Sequence, residues 1–178
     1  MASLGERMTG AMKADVAIFE EIEHDPNAMG QAVTVIVIAG VAGLIGNIFR
    51  SGISGGIVAL IISLIGYAVW ALMVTVIGTK LMPEPATKAD FPETFRTIAF
   101  AASPGIFNVL AIIPLLGWVI SFAISIWSLV IMVVAVRTVL DYTSTGRAII
   151  VVLIGWVIYW MVVAVLGIMF LGAALLRG

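Results

Sequence analysis

Cysteine is absent from the 178 residues, which excludes disulfides, thiolate metal sites and cysteine nucleophiles. Charge is scarce: nine residues are Lys or Arg, ten are Asp or Glu, and the formal net charge is -1. The basic residues are scattered singly, so the chain lacks the positive footprint of a nucleic-acid-binding protein. A single histidine with no nucleophile beside it excludes a Ser-His-Asp arrangement, and no phosphate-binding glycine loop is present. We therefore expect no enzymatic activity, no cofactor and no nucleic-acid partner.

The chain instead contains long uncharged stretches. Hydrophobic residues make up 62% of the sequence, and the mean hydropathy is +1.22. Each uncharged run is at least as long as the ~20 residues that a helix needs to cross a bilayer. The runs are Pro26 to Phe49, Ser51 to Thr79, Thr97 to Val136 and Ala148 to Leu176. This pattern predicts a polytopic membrane protein and excludes a water-soluble fold.

The breaks in these runs predict five spans. The third run, of about 40 residues, is long enough for two spans, and the segment 114–117 (Pro-Leu-Leu-Gly) supplies the turn between them. Another turn is expected at 50–56, where Gly and Ser are frequent. The predicted fold is all-α, a five-transmembrane-helix bundle (26–178) preceded by an N-terminal amphipathic helix (1–25). The spans cover about 27–49, 55–79, 95–113, 116–137 and 148–173, with a cytoplasmic loop at 80–94.

The basic residues predict the orientation. If the N-terminus is cytoplasmic, two basic residues lie outside, Arg50 and Arg177, and seven lie inside: Arg7, Lys13, Lys80, Lys88, Arg96, Arg137 and Arg147. This is a clear positive-inside bias. We expect a multi-pass protein of the bacterial inner membrane, with a cytoplasmic N-terminus and an extracytoplasmic C-terminus.

Two amphipathic segments precede spans. Apolar residues recur every three to four positions between Leu4 and Ile22, and the polar face is mixed and rather acidic. Docking onto the bundle or a partner is therefore expected in place of strong binding to anionic lipid. A short cytoplasmic helix should begin at Asp90, where Glu93 has capping-box spacing and Pro92 lies in the first turn.

Several of these segments match a known pattern. They are Thr94-Phe95-Arg96, Pro104, Asn108, Pro114-Leu115-Leu116-Gly117, Ile126-Trp127 and Arg137, with the upstream residues 20–26. Together with the five-span layout, this pattern resembles the Yip1 domain family in its bacterial form. The resemblance implies a membrane protein that acts by association. Eukaryotic members associate with Rab GTPases in vesicle traffic, but their long cytosolic N-terminal region has no counterpart here, so Rab binding is not carried over.

Polar residues within the spans are the main site candidates: Pro104, Asn108, Ser103 and Tyr67. Asn108 could donate to the backbone carbonyl that Pro104 leaves without an amide partner, because the two residues are one turn apart. Alternatively, the Pro104 break could expose Asn108 to a polar cavity, as broken helices do in transporters. A hydrogen bond between subunits is the third possibility.

Charged residues near the membrane give weaker candidates. Arg96 and Arg137 flank the third and fourth spans and could bind a lipid phosphate, or they could simply orient the spans. Glu20, Glu21 and His24 have the spacing of bundle metal ligands. The same residues also fit a solvated acidic helix end, and no carboxylate lies within the spans to complete a metal site, so no metal is expected.

Two functions remain open. The leading hypothesis is a non-catalytic membrane scaffold or adaptor whose partners are membrane lipids and other membrane proteins, with homo-oligomer formation expected. The alternative is a small oligomeric transporter or channel that uses the Pro104-broken third span. The absence of charge within the spans counts against coupling to protons or ions.

Overall fold

The computed structural model describes residues 2–175, and for residues 160 and 162–175 it describes the backbone alone. All regular elements in this part of the chain are helical. The α-helices are α1 (Leu4–Met12), α2 (Val16–His24), α3 (Ala28–Gly46), α4 (Ile48–Val76), α5 (Phe91–Phe100), α6 (Gly117–Val139) and α7 (Thr145–Leu175). A π-helical turn (Ile77–Leu81) extends α4, and a 3₁₀ segment (Ser103–Ile112) follows α5.

The molecule is a multi-pass membrane protein. Among the described residues, four helical stretches are long and apolar enough to cross a bilayer: Ala28–Gly46, Ile48–Leu81, Phe91–Ile112 and Gly117–Val139. They agree in number and order with the first four predicted spans. The first part of α7, Thr145–Tyr159, is a shorter apolar helix. A fifth span formed by α7 stays a prediction.

The turn between the first two spans differs from the prediction for 50–56. It lies at Asn47, whose side-chain amide donates to the Gly43 carbonyl at 3.1 Å, and α4 begins directly afterwards. The predicted turn region is helical except at Gly52, where φ is 66°. This left-handed conformation favours glycine, so the glycine that pointed to a turn produces a kink within α4.

The N-terminal segment forms two helices where one amphipathic helix was predicted. The chain breaks at Ala14, which has a φ of 56°, and Asp15 starts α2 by accepting a hydrogen bond from the Ala17 amide at 3.0 Å. We call α1 and α2 the N-terminal helix pair. Its apolar face is buried against α3, α5 and α6. The indole of Trp127 on α6 donates to the Met12 carbonyl at 2.9 Å, so the pair lies directly against the bundle.

The helix predicted at Asp90 is present. The Asp90 side chain accepts from the Glu93 amide at 2.8 Å, and the Glu93 carboxylate accepts from the Asp90 amide at 3.1 Å. This reciprocal pair is a capping box. Because α5 is largely buried among α2, α3, α4 and α6, its start sets the position of the Pro104 break that follows.

Two sets of connections lie at opposite ends of the bundle. The loop 82–90 is pinned to the turn 140–144: Thr87 donates to the Leu140 carbonyl at 2.7 Å, and Tyr142 donates to the Met82 carbonyl at 2.8 Å. We call this end, which also contains the C-terminal end of α2, the loop end. At the other end, the end of α3 meets the 3₁₀ segment, where a side chain at Gly46 would collide with the Asn108 carbonyl.

Candidate functional site

At the break in the third span, Ser103 supplies the hydrogen bond that the Pro104 nitrogen cannot donate. Its hydroxyl donates to the Phe100 carbonyl at 2.6 Å, the carbonyl that an amide at position 104 would have bonded in a continuous α-helix. The expectation that Asn108 would donate to this carbonyl is therefore wrong. A serine one position before the proline reaches the carbonyl three residues back, whereas Asn108 lies farther along the 3₁₀ segment.

Asn108 lines a cavity of about 300 Å³ within the span region. The α3 helix and the 3₁₀ segment pack closely and form its floor, and α4 and α6 supply its sides. Gly105 allows this close approach, because a Cβ there would lie 2.7 Å from the Ala39 Cβ. The polar residues of the lining are Ser63, Tyr67, Asn108, Ser121, Ser125 and Ser128. The remaining lining residues are apolar or small.

Some of these polar groups have no hydrogen-bond partner among the described residues. Ser63 and Ser125 donate to carbonyls of their own helices, at 2.7 Å in each case. The side chains of Tyr67 and Asn108 make no hydrogen bond to any described residue. Because polar groups at membrane depth need partners, this cavity suits water or a small uncharged polar ligand. It contains no charged side chain within the described lining.

Tyr67 and Asn108 were recognised from the sequence, but it was not predicted that three serines of α6 would join them. A signal for this was present. Ser121, Ser125 and Ser128 are spaced i, i+4 and i+7, which places them on one face of a helix. A polar stripe of this kind on an otherwise apolar span indicates a face turned away from lipid.

A buried arginine holds the N-terminal helix pair together. Arg7 of α1 is 1% exposed, and its guanidinium donates to Asp25 at 2.6 Å, to Glu21 at 2.8 Å and to Gln31 at 3.0 Å. The Ala2 amide and then Arg7 lower the pKa of the Glu21 carboxyl. Arg7 is also the first cause of the lowered pKa of Asp25. The ion pairs connect α1 to the end of α2 and to α3.

The role of Arg7 was not predicted, although its position in the sequence gives an indication of it. Arg7 lies three residues after Leu4 and four before Ala11, on the apolar stripe that the periodicity identified. A charge on such a stripe requires a partner. The acidic residues that supply it lie more than ten positions away, so pairing them required the reversal of the chain at Ala14.

The two arginines proposed for lipid binding have different surroundings. Arg96 is 5% exposed, and its guanidinium donates to the backbone carbonyls of Ile22 at 3.0 Å and Glu23 at 2.8 Å. It thus caps the C-terminal end of α2. Arg137 donates to the Tyr142 carbonyl at 3.3 Å and to the Thr145 hydroxyl at 3.2 Å. The guanidinium of Arg96 is occupied by α2 and is not presented to a lipid phosphate.

The three weak metal candidates do not come together as ligands. Glu21 pairs with Arg7 at 2.8 Å, and Nδ1 of His24 lies 2.8 Å from the Glu20 backbone carbonyl. Within the described part of the chain, no group of three or more His, Asp or Glu side chains could hold a metal ion. The local environment is that of a capped, partly solvated helix end.

A second cavity, of about 360 Å³, lies at the loop end between α2 and the end of α6. We call it the loop-end pocket, and its lining is Val16, Glu20, Glu23, His24, Arg137, Thr138, Asp141, Tyr142 and Thr143. Glu23 is 7% exposed, and burial raises the pKa of its carboxyl to about 7. Glu23 was not predicted to be a site residue, because its burial follows from the docking of α2 on α5 and α6.

Comparison with known families gives one match, which covers most of the chain. The family model described as the Yip1 domain matches residues 10–167. No curated protein and no solved structure matches the sequence.

Proposed function

Because this chain belongs to the Yip1 domain family, we propose that it is a non-catalytic membrane scaffold that associates with other membrane proteins or lipids. The observation that carries the proposal is the structure of the loop end, where two buried arginines hold the short helices, and side-chain hydrogen bonds hold the loop 82–90, in fixed positions. A preformed surface binds with a smaller loss of conformational entropy than a mobile one.

Three sets of contacts support a preformed surface. Arg7 joins α1 to α2 and α3. Arg96 fixes the end of α2 to α5. Glu84 of the loop 82–90 accepts from the amide and hydroxyl of Thr143, each at 3.0 Å, and pairs with Arg147 at 3.2 Å. Helices, loop and turn therefore form one connected surface at the loop end.

The loop end is proposed to face the cytoplasm, in a bundle of five spans held in the bacterial inner membrane. Positive charge supports this orientation. Lys80, Lys88 and Arg147 belong to the loop-end connections, as do the arginines already described there, whereas Arg50 lies just beyond the Asn47 turn at the opposite end. Such an asymmetry favours the basic end on the cytoplasmic side.

Capture of neighbours from intact cells tests the scaffold proposal. The protein would be crosslinked in its native membrane, purified in mild detergent, and compared with Arg7→Met, which should loosen the helix pair, and Lys13→Met, an exposed control on the same pair. We expect a defined set of partners that Arg7→Met depletes and Lys13→Met retains. Recovery of the protein without any specific neighbour would contradict the proposal.

A second candidate function is a small oligomeric transporter or channel. The observation that favours it is the cavity beside the Pro104 break, lined by Tyr67, Asn108 and serines. Broken helices and unpaired polar groups around a cavity are features of transporter sites. The two functions differ in whether water reaches Asn108 from either side of the membrane, which cysteine labelling at that position measures.

A further inference from the structure

The loop-end pocket contains a buried side chain, Glu23, whose backbone is held in place but whose carboxylate has no hydrogen-bond donor among the described residues. The backbone carbonyl of Glu23 is fixed by Arg96 at 2.8 Å, and the side chain, 7% exposed, lines the pocket. Among the described residues, none forms a hydrogen bond or an ion pair with its carboxylate. A buried charged group without a partner costs free energy, so a complementary ligand would be stabilised here.

The charged groups around Glu23 indicate which ligand fits. They come from α2 (Glu20 and His24), from α5 (Glu93 and Arg96) and from α6 and the turn after it (Arg137 and Asp141). The Arg96 and Arg137 guanidinium groups and the His24 ring are within hydrogen-bonding distance of other oxygens. The carboxylates of Glu20, Glu23 and Asp141 accept no hydrogen bond from the described residues. Glu20 and Asp141 are exposed to water, so the group that requires a donor is the buried acceptor Glu23.

We propose that the loop-end pocket binds the ammonium or guanidinium group of a basic side chain on a partner protein. This rests on the proposed scaffold function and names the chemistry of its partner. The volume of about 360 Å³ equals that of about 12 liquid waters, which is enough for the end of a Lys or Arg side chain. Every residue of the described lining except Val16 carries a charged, imidazole or hydroxyl group, which suits a cationic side chain better than a lipid chain.

Direct binding of model peptides tests this assignment. The full chain would be placed in phosphatidylcholine nanodiscs and titrated with fluorescent acetyl-Gly-Lys-Gly-amide or its norleucine counterpart. We expect the lysine peptide to bind more tightly, and Glu23→Gln to weaken it by about tenfold or more, because a charge-assisted hydrogen bond is lost. The control is Glu6→Gln, which removes one negative charge at an exposed capping box that glutamine also supports.

The pH dependence provides a second readout. Binding should tighten from about pH 6 to about pH 8, because the Glu23 carboxyl, whose pKa is about 7, ionises over this range. His24 also lines the pocket, and the Glu20 backbone carbonyl and then Glu23 raise the pKa of its ring. In Glu23→Gln this dependence should be reduced.

Three results would overturn the assignment. Equal binding of the lysine and norleucine peptides would exclude a cation site, and equal binding to wild type and Glu23→Gln would place the site elsewhere. Displacement of the lysine peptide by phosphatidylethanolamine, dependent on Glu23, would identify a lipid headgroup as the ligand. Partner capture from cells separates the two proposals. Partners that persist in Glu23→Gln would refute the cation-binding role of the pocket and leave the scaffold function intact. Absence of partners in wild type would refute the scaffold function.

Discussion

Replacing Arg7 with methionine should release the N-terminal helix pair from the bundle. Methionine keeps much of the apolar stem, so the change removes mainly the guanidinium and its three hydrogen bonds, to Asp25, Glu21 and Gln31. Breaking a buried ion pair by removing one partner costs about 3–5 kcal/mol. Because the Glu21 side chain is 37% exposed and an exposed pair contributes little, the lower figure, about 3 kcal/mol, applies.

Hydrogen exchange by mass spectrometry measures this effect where it occurs. A loss of about 3 kcal/mol increases local opening by about a hundredfold. Amides of α1 and α2 should therefore exchange faster, while α4 and α6 should stay protected. Lys13→Met should leave exchange unchanged, and adding Asp25→Asn to Arg7→Met should recover part of the loss, because the neutral amide tolerates burial without Arg7. Unchanged protection in Arg7→Met would refute the reasoning.

Further predictions concern the Pro104 break and the loop-end pocket, each measured by thermal unfolding in mild detergent. Ser103→Ala should lower the free energy of unfolding by about 1–2 kcal/mol, because the buried Phe100 carbonyl loses its donor. The control Ser125→Ala, which removes an exposed hydroxyl, should have little effect. Equal losses of stability in the two variants would contradict this prediction. Gly105→Ala should lower the free energy of unfolding by about 1–3 kcal/mol, because the added Cβ overpacks against α3. The control Gly66→Ala, whose Cβ meets open space, should not destabilise the protein. Burial raises the pKa of Glu23 from 4.5 to about 7, so the folded protein binds the carboxyl proton more tightly than the unfolded chain does. The free energy of unfolding gained from this proton is complete below pH 4.5 and is lost as the pH rises through about 7. Glu23→Gln should therefore stabilise the protein at about pH 8, by up to about 3 kcal/mol, but not at about pH 4.5; an equal gain at both values would refute this assignment.

The helical elements could be predicted from local features. Apolar runs and a proline-containing turn located the first four spans, because the length of a span is set by the bilayer and not by tertiary contacts. The capping box of Asp90 and Glu93 depends on residues three positions apart, so the start of α5 was also predictable. The turn at Asn47 was not predictable in this way. The glycines at 52, 55 and 56 suggested a turn, but glycine is also found at a kink within a helix, as at Gly52.

The candidate sites depended on long-range contacts and were only partly predicted. Asn108 and Tyr67 were recognised as polar residues in apolar spans, but the cavity that joins them requires the packing of several helices. Arg96 was assigned to the membrane surface because nothing local indicated that the end of α2 would dock against it. Glu23 became notable only once burial removed it from water.

Cysteine labelling at Asn108 tests most directly the central claim, that this Yip1 protein is a closed scaffold and not a conduit. The chain contains no cysteine, so Asn108→Cys can be probed alone with a membrane-impermeant maleimide in intact cells and in inverted vesicles. We expect protection from both sides, with the control Pro83→Cys, in the loop 82–90, labelled in inverted vesicles alone. Rapid labelling of Asn108→Cys from either side would contradict the account and favour a transporter.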